Sequence, residues 1–198
     1  MKYYFKIVYP LVVIAVVVGL AMGVTYQLLE NKLIESRKAE EEEALKKVIQ
    51  GAASFKEENS NEIEYYIAYS ESNTIVGYIF KKAKNGYGGP VEALIGITNG
   101  AVDSVVILRM TRETPGLGTK ANSADWLSQF KGITYDRVPK SKADFKNNGL
   151  DAISGATLTS LAVAGDIMEA FNDYHKLSGA VVNTNISVTT GASKVSNQ

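Results

Sequence analysis

A run of 23 residues without a charged side chain, IVYPLVVIAVVVGLAMGVTYQLL at 7–29, constrains this chain more than any other feature. As a helix rising about 1.5 Å per residue, it reaches roughly 35 Å, enough to cross a hydrocarbon core of about 30 Å. The run is apolar on every side, which excludes an ordinary amphipathic surface helix. Tyr3, Tyr4, Phe5 and Tyr9 precede or open it and Tyr26 stands near its end, where interfacial aromatics belong. A cleaved signal peptide is the competing reading, but the run is long for one and no A-x-A-like site follows it. The expectation is therefore a short cap over 1–6 and one uncleaved transmembrane helix over 7–29. Lys2 and Lys6 lie before the run; Lys32, Arg37 and Lys38 lie after it. That count is nearly even, so charge does not choose an orientation.

Residues 30–50, ENKLIESRKAEEEEALKKVIQ, hold neither Gly nor Pro and mix both charge signs. Leu33, Ile34, Leu45, Val48 and Ile49 recur at helical spacing, which predicts a juxtamembrane helix. The run Glu40 to Glu43 reads as its solvated face. Character then changes. EIEYYIAYS, NTIVGYIFKKA, VEALIGITNG and AVDSVVILRM are rich in β-branched and aromatic residues, and turn signals separate them. Asn99-Gly100 is the strongest of these, a type I′ hairpin signal. The pattern predicts four antiparallel strands over 63–110. A Pro-Gly loop and a short helix near 123–130 follow, with Ser123 as its N-cap. Residues 131–150 read as strand or loop. A long helix is expected over about 158–177, where Ala162, Val163, Ile167, Met168, Ala170, Phe171 and Tyr174 share a face. The expected architecture is α+β: an antiparallel sheet with packed helices over 51–178, preceded by the one transmembrane helix and followed by a polar tail at 179–198, expected to be mobile.

Composition removes several chemistries. There is no cysteine, so disulfides, thiol nucleophiles and thiolate-held clusters are excluded from this chain. The single histidine, His175, cannot build a multi-histidine metal site, and no metal site is expected. A formal net charge of zero gives no support to a nucleic-acid partner.

What remains is the stretch DAISGATLTS at 151–160. Gly155 and Ala156 clear space beside Thr157, which falls at the start of the long helix. Free backbone N–H groups and the positive dipole end converge there, as an anion such as phosphate requires. No Gly-Lys-Ser/Thr is present, so this is not a nucleotide P-loop. A phosphate would be held by amides and hydroxyls or bonded to a hydroxyl. Simple helix capping is the plainer use of the same residues.

The stretch resembles Asp-x-x-Ser/Thr-Gly-Ala-Thr, the flavinylation motif of the FMN-binding domain family. In that family a flavin transferase moves FMN from FAD onto the hydroxyl of the last threonine, giving a phosphoester. Carried over, the resemblance implies covalent FMN on Thr157, framed by Asp151, Ser154, Gly155 and Ala156. TRETPGLG at 111–118 resembles the loop that accompanies this motif in the G subunit of the Rnf complex and in the C subunit of the sodium-pumping NADH:quinone reductase. It adds Glu113, Thr114, Gly116, Leu117 and Gly118 as residues expected to line or close over the flavin. NGYGGPVEALIGI at 85–97 resembles the preceding strand and turn of those subunits, and one span followed by one flavin domain is also their layout. Chain length favours the Rnf G subunit.

The resemblance implies an electron-carrying subunit of a translocating oxidoreductase that couples ferredoxin and NAD chemistry to movement of Na⁺ or H⁺. It implies no complete catalytic cycle and no catalytic residue in this chain. The implied partners are neighbouring membrane subunits and, during maturation, the flavin transferase. The implied location is the cytoplasmic membrane, single-pass, with the flavin domain on the outer face. Two other classes stay open: a membrane-anchored structural or binding subunit whose SGAT is only a cap, and a self-standing flavin reductase, which the lack of a nicotinamide-binding fingerprint disfavours. Tyr87 and Trp126 are the aromatics placed to stack on a flavin, with core packing as the plainer role.

Overall fold

The structure is a computed structural model that describes residues 2–60 and 63–191. It divides into two compact units, residues 1–42 and 43–198.

The first unit is a single helical rod. Helix α1 runs unbroken over Lys2–Val48, through the uncharged run and the juxtamembrane stretch expected to be helical after it. Nothing between residues 30 and 48 can stop a helix, since Gly and Pro are both absent. Pro10 lies inside α1 without ending it, as apolar membrane helices tolerate. Among the described residues, α1 is the one helix long and apolar enough to cross a membrane. Its apolar side chains are exposed within the unit, from Val8 to Leu29.

The second unit is built on five antiparallel strands in sequential order: β1 (Ser54–Ser60), β2 (Ile63–Tyr69), β3 (Ile75–Asn85), β4 (Pro90–Thr98) and β5 (Ala101–Met110). Four of these answer the sequence pattern. The extra strand, β1, has the sequence SFKEENS and no fully buried residue. A polar strand at the sheet edge carries no hydrophobic alternation to read, and such polarity protects an edge from wrong pairing. Asn99 and Gly100 join β4 to β5 with φ values of 53° and 76°, the pair of positive φ angles a type I′ turn demands.

Helices cover both faces of the sheet, so the central strands are apolar on both sides. In β4, Val91, Ala93, Ile95 and Ile97 enter the larger core, while Leu94 enters the smaller one. The smaller core receives the last turns of α1 through Ala44, Leu45 and Val48, followed by Ile49. Gly96 permits this approach: a β-carbon there would stand 2.7 Å from Val48 and 3.0 Å from Ile49. The larger core receives helix α4 (Thr157–Gly191) through Ala162, Val163, Ile167, Ala170 and Phe171.

Between β5 and α4 lie a 3₁₀ turn at Gly118–Asn122, helix α2 (Ala124–Ser128), a second 3₁₀ turn at Tyr135–Arg137 and helix α3 (Lys142–Asn147). Ser123 occupies the N-cap position of α2, but its hydroxyl donates to the Lys120 carbonyl at 2.8 Å and caps nothing. Residues 131–150 add only a single bridge, Thr134 to Ala101, to the sheet. Helix α4 is continuous to Gly191, past the end expected near residue 177. The last part of the expected polar tail, 192–198, lies outside the described residues.

Candidate cofactor-attachment site

The first turn of α4 is set by a tight turn and a hydroxyl. The Ala156 N–H donates to the Ile153 carbonyl at 3.0 Å, closing a four-residue turn. Gly155 is its third residue, with φ +78°, the position where a type II turn needs glycine. Ser160, buried one turn into the helix, accepts the Ile153 N–H at 2.9 Å and donates to the Ala156 carbonyl at 3.1 Å. The sequence 153–160 thus folds back on itself and leaves Thr157 as the first helical residue, half-buried.

Loop 113–118 packs beside it. Its Leu117 N–H donates to the Thr114 carbonyl at 3.1 Å around Pro115 and Gly116, the latter at φ +76°. This is also a type II turn, with Pro and Gly at their favoured positions. Leu117 leans over Gly155, where a β-carbon would come within 3.3 Å of it.

Glu113 joins three segments. It is buried, at 7% exposure. Oε1 accepts the Gly88 N–H at 3.1 Å, and Oε2 accepts the Thr159 hydroxyl at 2.9 Å. A β-carbon at Gly86 or Gly118 would collide with its side chain. The carboxylate is therefore wrapped by glycine backbone, with one hydrogen bond on each oxygen. Arg112, just before it, has φ +60°, a conformation that non-glycine residues hold only where surrounding contacts impose it.

These elements enclose a cavity of about 520 Å³ lined by Tyr87, Glu113, Thr114, Leu117, Gly118, Lys142, Gly155, Ala156, Thr157, Leu158 and Thr159. The structure thus gathers Thr157, Gly155, Ala156, Glu113, Thr114, Leu117 and Gly118 in one place. Gly116 shapes the loop without lining the cavity. Asp151 and Ser154 are exposed and lie off the cavity wall. Asp151 is held by its backbone: its N–H donates to Gln129 Oε1 at 2.7 Å, and its carbonyl accepts Trp126 Nε1–H at 2.7 Å and Gln129 Nε2–H at 3.2 Å.

The hydroxyls of 154–160 differ in access. Thr159 and Ser160 are buried and engaged, and Ser154 lies off the cavity. Thr157 alone combines access with the open N–H groups of a helix start.

Lys142, the first residue of α3, is the cavity's one cationic side chain. Among the described residues it has no acidic partner. Sequence reasoning missed it, since it stands 15 residues before Thr157 in an irregular stretch with no motif around it. It missed Thr159 and Ser160 as supports, although both hydroxyls stand in the motif's own tail. Trp126 is not a cavity residue. Its ring packs edge-on to Phe130 at 5.1 Å. His175 is exposed and stacks among Tyr135, Phe171 and Tyr174.

One buried acid stands apart from the cavity. Asp166 on α4 has no exposure, and among the described residues neither carboxylate oxygen receives a well-formed hydrogen bond, the Lys84 backbone N–H approaching without completing one. Burial, helped by the nearby charge of Glu169 and opposed by Lys84 and Lys82, pushes its pKa up to about 8.

The comparisons with known proteins agree with this geometry. The model of the FMN-binding domain family matches residues 86–172, a range that contains loop 113–118 and Thr157. The G subunit of the Na⁺-translocating ferredoxin:NAD⁺ oxidoreductase complex of Acetobacterium woodii is 31% identical over 89% of this chain and 94% of its own length. The G subunit of the proton-translocating ferredoxin:NAD⁺ oxidoreductase complex of Clostridium ljungdahlii is 28% identical over 88% of this chain and 94% of its own. The G subunit of the ion-translocating oxidoreductase complex of Methanosarcina acetivorans is 28% identical over 85% and 93%. The chain belongs to the family of G subunits of ion-translocating oxidoreductase complexes.

Proposed function

We propose that this chain is a membrane-anchored electron-transfer subunit of an Rnf-type complex and carries FMN covalently on Thr157. The observation that carries the reading is the convergence, in one cavity beside Gly155, of an accessible hydroxyl, a helix start and a lysine with no acidic partner among the described residues. This set fits a phosphate monoanion: amides and Lys142 supply positive character, and glycine clears the approach.

Attachment is a phosphoryl-group transfer by the maturation enzyme. The Thr157 hydroxyl loses its proton and its Oγ–P bond forms; the pyrophosphate bond of FAD breaks and AMP leaves. The exposed carboxylate of Asp151, on a backbone pinned by Gln129 and Trp126, is suited to recognition by that transferase rather than to contact with the flavin. FMN, once bound, supplies reversible one- and two-electron redox chemistry, and the chain supplies position and electrostatics.

The anchor is the single span of α1, with the flavin domain on the outer face of the cytoplasmic membrane. Residues 7–29 contain no Asp, Glu, Lys, Arg or His, and ion pathways through membranes are usually marked by such residues. Relatives named for Na⁺ and for protons match at 31% and 28% identity. Both facts support a subunit that carries electrons while neighbouring membrane subunits move the ion.

The test is co-production with a flavin transferase, followed by a denaturing gel viewed by flavin fluorescence. The wild-type chain is expected to fluoresce, and Thr157→Ala to be dark. A dark wild-type band, or a fluorescent Thr157→Ala band, would refute the reading. Lys142→Glu is expected to slow attachment several-fold, because an exposed charge beside an anion is worth up to about 1 kcal/mol and reversing its sign replaces attraction by repulsion. Labelling rates at limiting transferase check this.

A further inference from the structure

Charge collects in the seam between β3 and α4. Phe80 of β3 enters the core under α4, so by strand alternation Lys82 and Lys84 share its face. Helix α4 answers with Asp166, Glu169 and Asp173, spaced three and four apart on one side. Three acids thus meet two lysines from the strand.

The pairing is uneven. Lys82 Nζ lies 2.5 Å from Asp173 Oδ2, and Lys176 holds the other oxygen at 2.8 Å. The contact of Lys84 with Glu169 is looser, at 3.5 Å, and the two side chains are 43% and 45% exposed. Asp166 is left over: fully buried, with neither oxygen in a well-formed hydrogen bond among the described residues. A buried polar group left in that condition needs a cause.

Lys84 is the cation placed to reach it. Its stem crosses α4 at the neighbouring Gly165, where a β-carbon would stand 2.6 Å from Lys84 Cδ and 3.2 Å from Cε. The other walls bring apolar groups: β4 turns Val91, Ala93 and Ile95 into this core, and the 3₁₀ turn at Gly118–Asn122 adds Ala121. The remaining acid that touches α4, Glu113, is tied to Gly88 and Thr159.

We propose that Asp166, Lys84 and Glu169 form a proton-operated switch: with Asp166 protonated the Lys84 ammonium rests on Glu169, and when Asp166 releases its proton to solvent the ammonium moves one turn back along α4 to the new carboxylate. A half-exposed ion pair is held weakly. A buried carboxylate without a counter-charge is strongly unfavourable, so once formed it takes the lysine from Glu169. Burial, with the Glu169 charge added, sets the exchange at about pH 8. Lys84 stands two residues before Gly86, where a β-carbon would lie 3.5 Å from Thr159 Cα. The switch therefore sits behind the wall of the Thr157 cavity, and it operates whatever Thr157 carries.

The test uses the full unflavinylated chain in detergent, with isotope-labelled Asp and Glu carboxyl carbons followed by NMR across the neutral and alkaline range. Wild type is compared with Asp166→Asn and Lys84→Met, and Glu169→Gln assigns the Glu169 signal. In wild type the Asp166 signal is expected to titrate with a midpoint of about 8. The Glu169 signal, already ionised, is expected to shift over the same range as its lysine leaves. Asp166→Asn is expected to remove both transitions. Lys84→Met is expected to raise the Asp166 midpoint by about one pH unit, since a nearby cation favours the carboxylate, and to shrink the Glu169 response several-fold. Wild-type Asp166 titrating near the ordinary carboxylate value of 3.8, or holding its proton throughout the alkaline range, would overturn the switch. So would a Glu169 response that is the same with and without Lys84.

Discussion

Glu113→Ala is expected to lower the stability of the folded unit by about 2–4 kcal/mol, the largest loss from any single side chain of the site. The carboxylate accepts from the part-buried Gly88 N–H and from the buried Thr159 hydroxyl. Leaving a buried donor unsatisfied costs about 1–3 kcal/mol, and two are left here. Glu113→Gln is expected to cost far less. Its carbonyl oxygen can accept from the rigid Gly88 amide, and its amino group can donate to Thr159, whose hydroxyl rotates to accept. The order wild type, Gln, Ala in urea midpoint is the measurement, followed by the emission of Trp126, the single tryptophan of the chain. The unflavinylated protein serves, so that the cofactor does not contribute. Equal losses for Gln and Ala would show that the charge itself, rather than hydrogen-bond satisfaction, holds these segments together. No loss in either would remove Glu113 as the joint between the β3–β4 turn, loop 113–118 and α4.

Asp166→Asn is expected to act in the opposite direction and to depend on pH. The folded protein holds the Asp166 proton up to about pH 8, whereas an unfolded chain releases it near the ordinary carboxylate value of 3.8. Between those values the folded state binds the extra proton, so the contribution of Asp166 to stability falls as pH rises from about 4 to about 8. Above pH 8 the ionised acid is buried without a well-formed hydrogen bond, eased by the Lys84 backbone N–H and the charges of Lys84 and Lys82 and aggravated by Glu169. Asn carries no proton to lose, so the variant is expected to flatten this part of the pH profile and to be more stable than wild type at pH 8 by up to about 5 kcal/mol, at about 1.4 kcal/mol for each of roughly four pH units. At pH 4 the two are expected to be nearly equal, because Asn still buries polar atoms. Urea midpoints of both proteins from pH 4 to 9 check the sign. Parallel profiles would contradict the account of Asp166.

Much of this organisation is legible in the sequence because its signals are local. The uncharged run of α1, the β-branched strands and the Asn99-Gly100 turn each announce themselves within a few residues. The turn that opens α4 is legible for the same reason, since Gly155, Ala156 and Thr157 are neighbours. Strand β1 is not, because an edge strand of Ser, Lys, Glu and Asn has no buried face to set an alternation. The reach of α1 beyond the uncharged run is legible too, since residues 30–48 hold nothing that breaks a helix. The rest of the site depends on contacts across the chain. Tyr87 and Lys142 reach Thr157 from 70 and 15 residues away, and no periodicity joins them. Glu113 is legible as part of the loop, but its use as a three-way acceptor shows only when Gly88 and Thr159 are seen on its two oxygens.

The central claim is a bond to one atom, and the most direct measurement is peptide mass spectrometry of the full chain co-produced with a flavin transferase. The peptide spanning 151–160 is expected to carry the mass of one FMN, with fragment ions placing it on Thr157 and leaving Ser154, Thr159 and Ser160 unmodified. An unmodified peptide in a preparation where the transferase labels a known acceptor, or a flavin placed on any other hydroxyl, would contradict it.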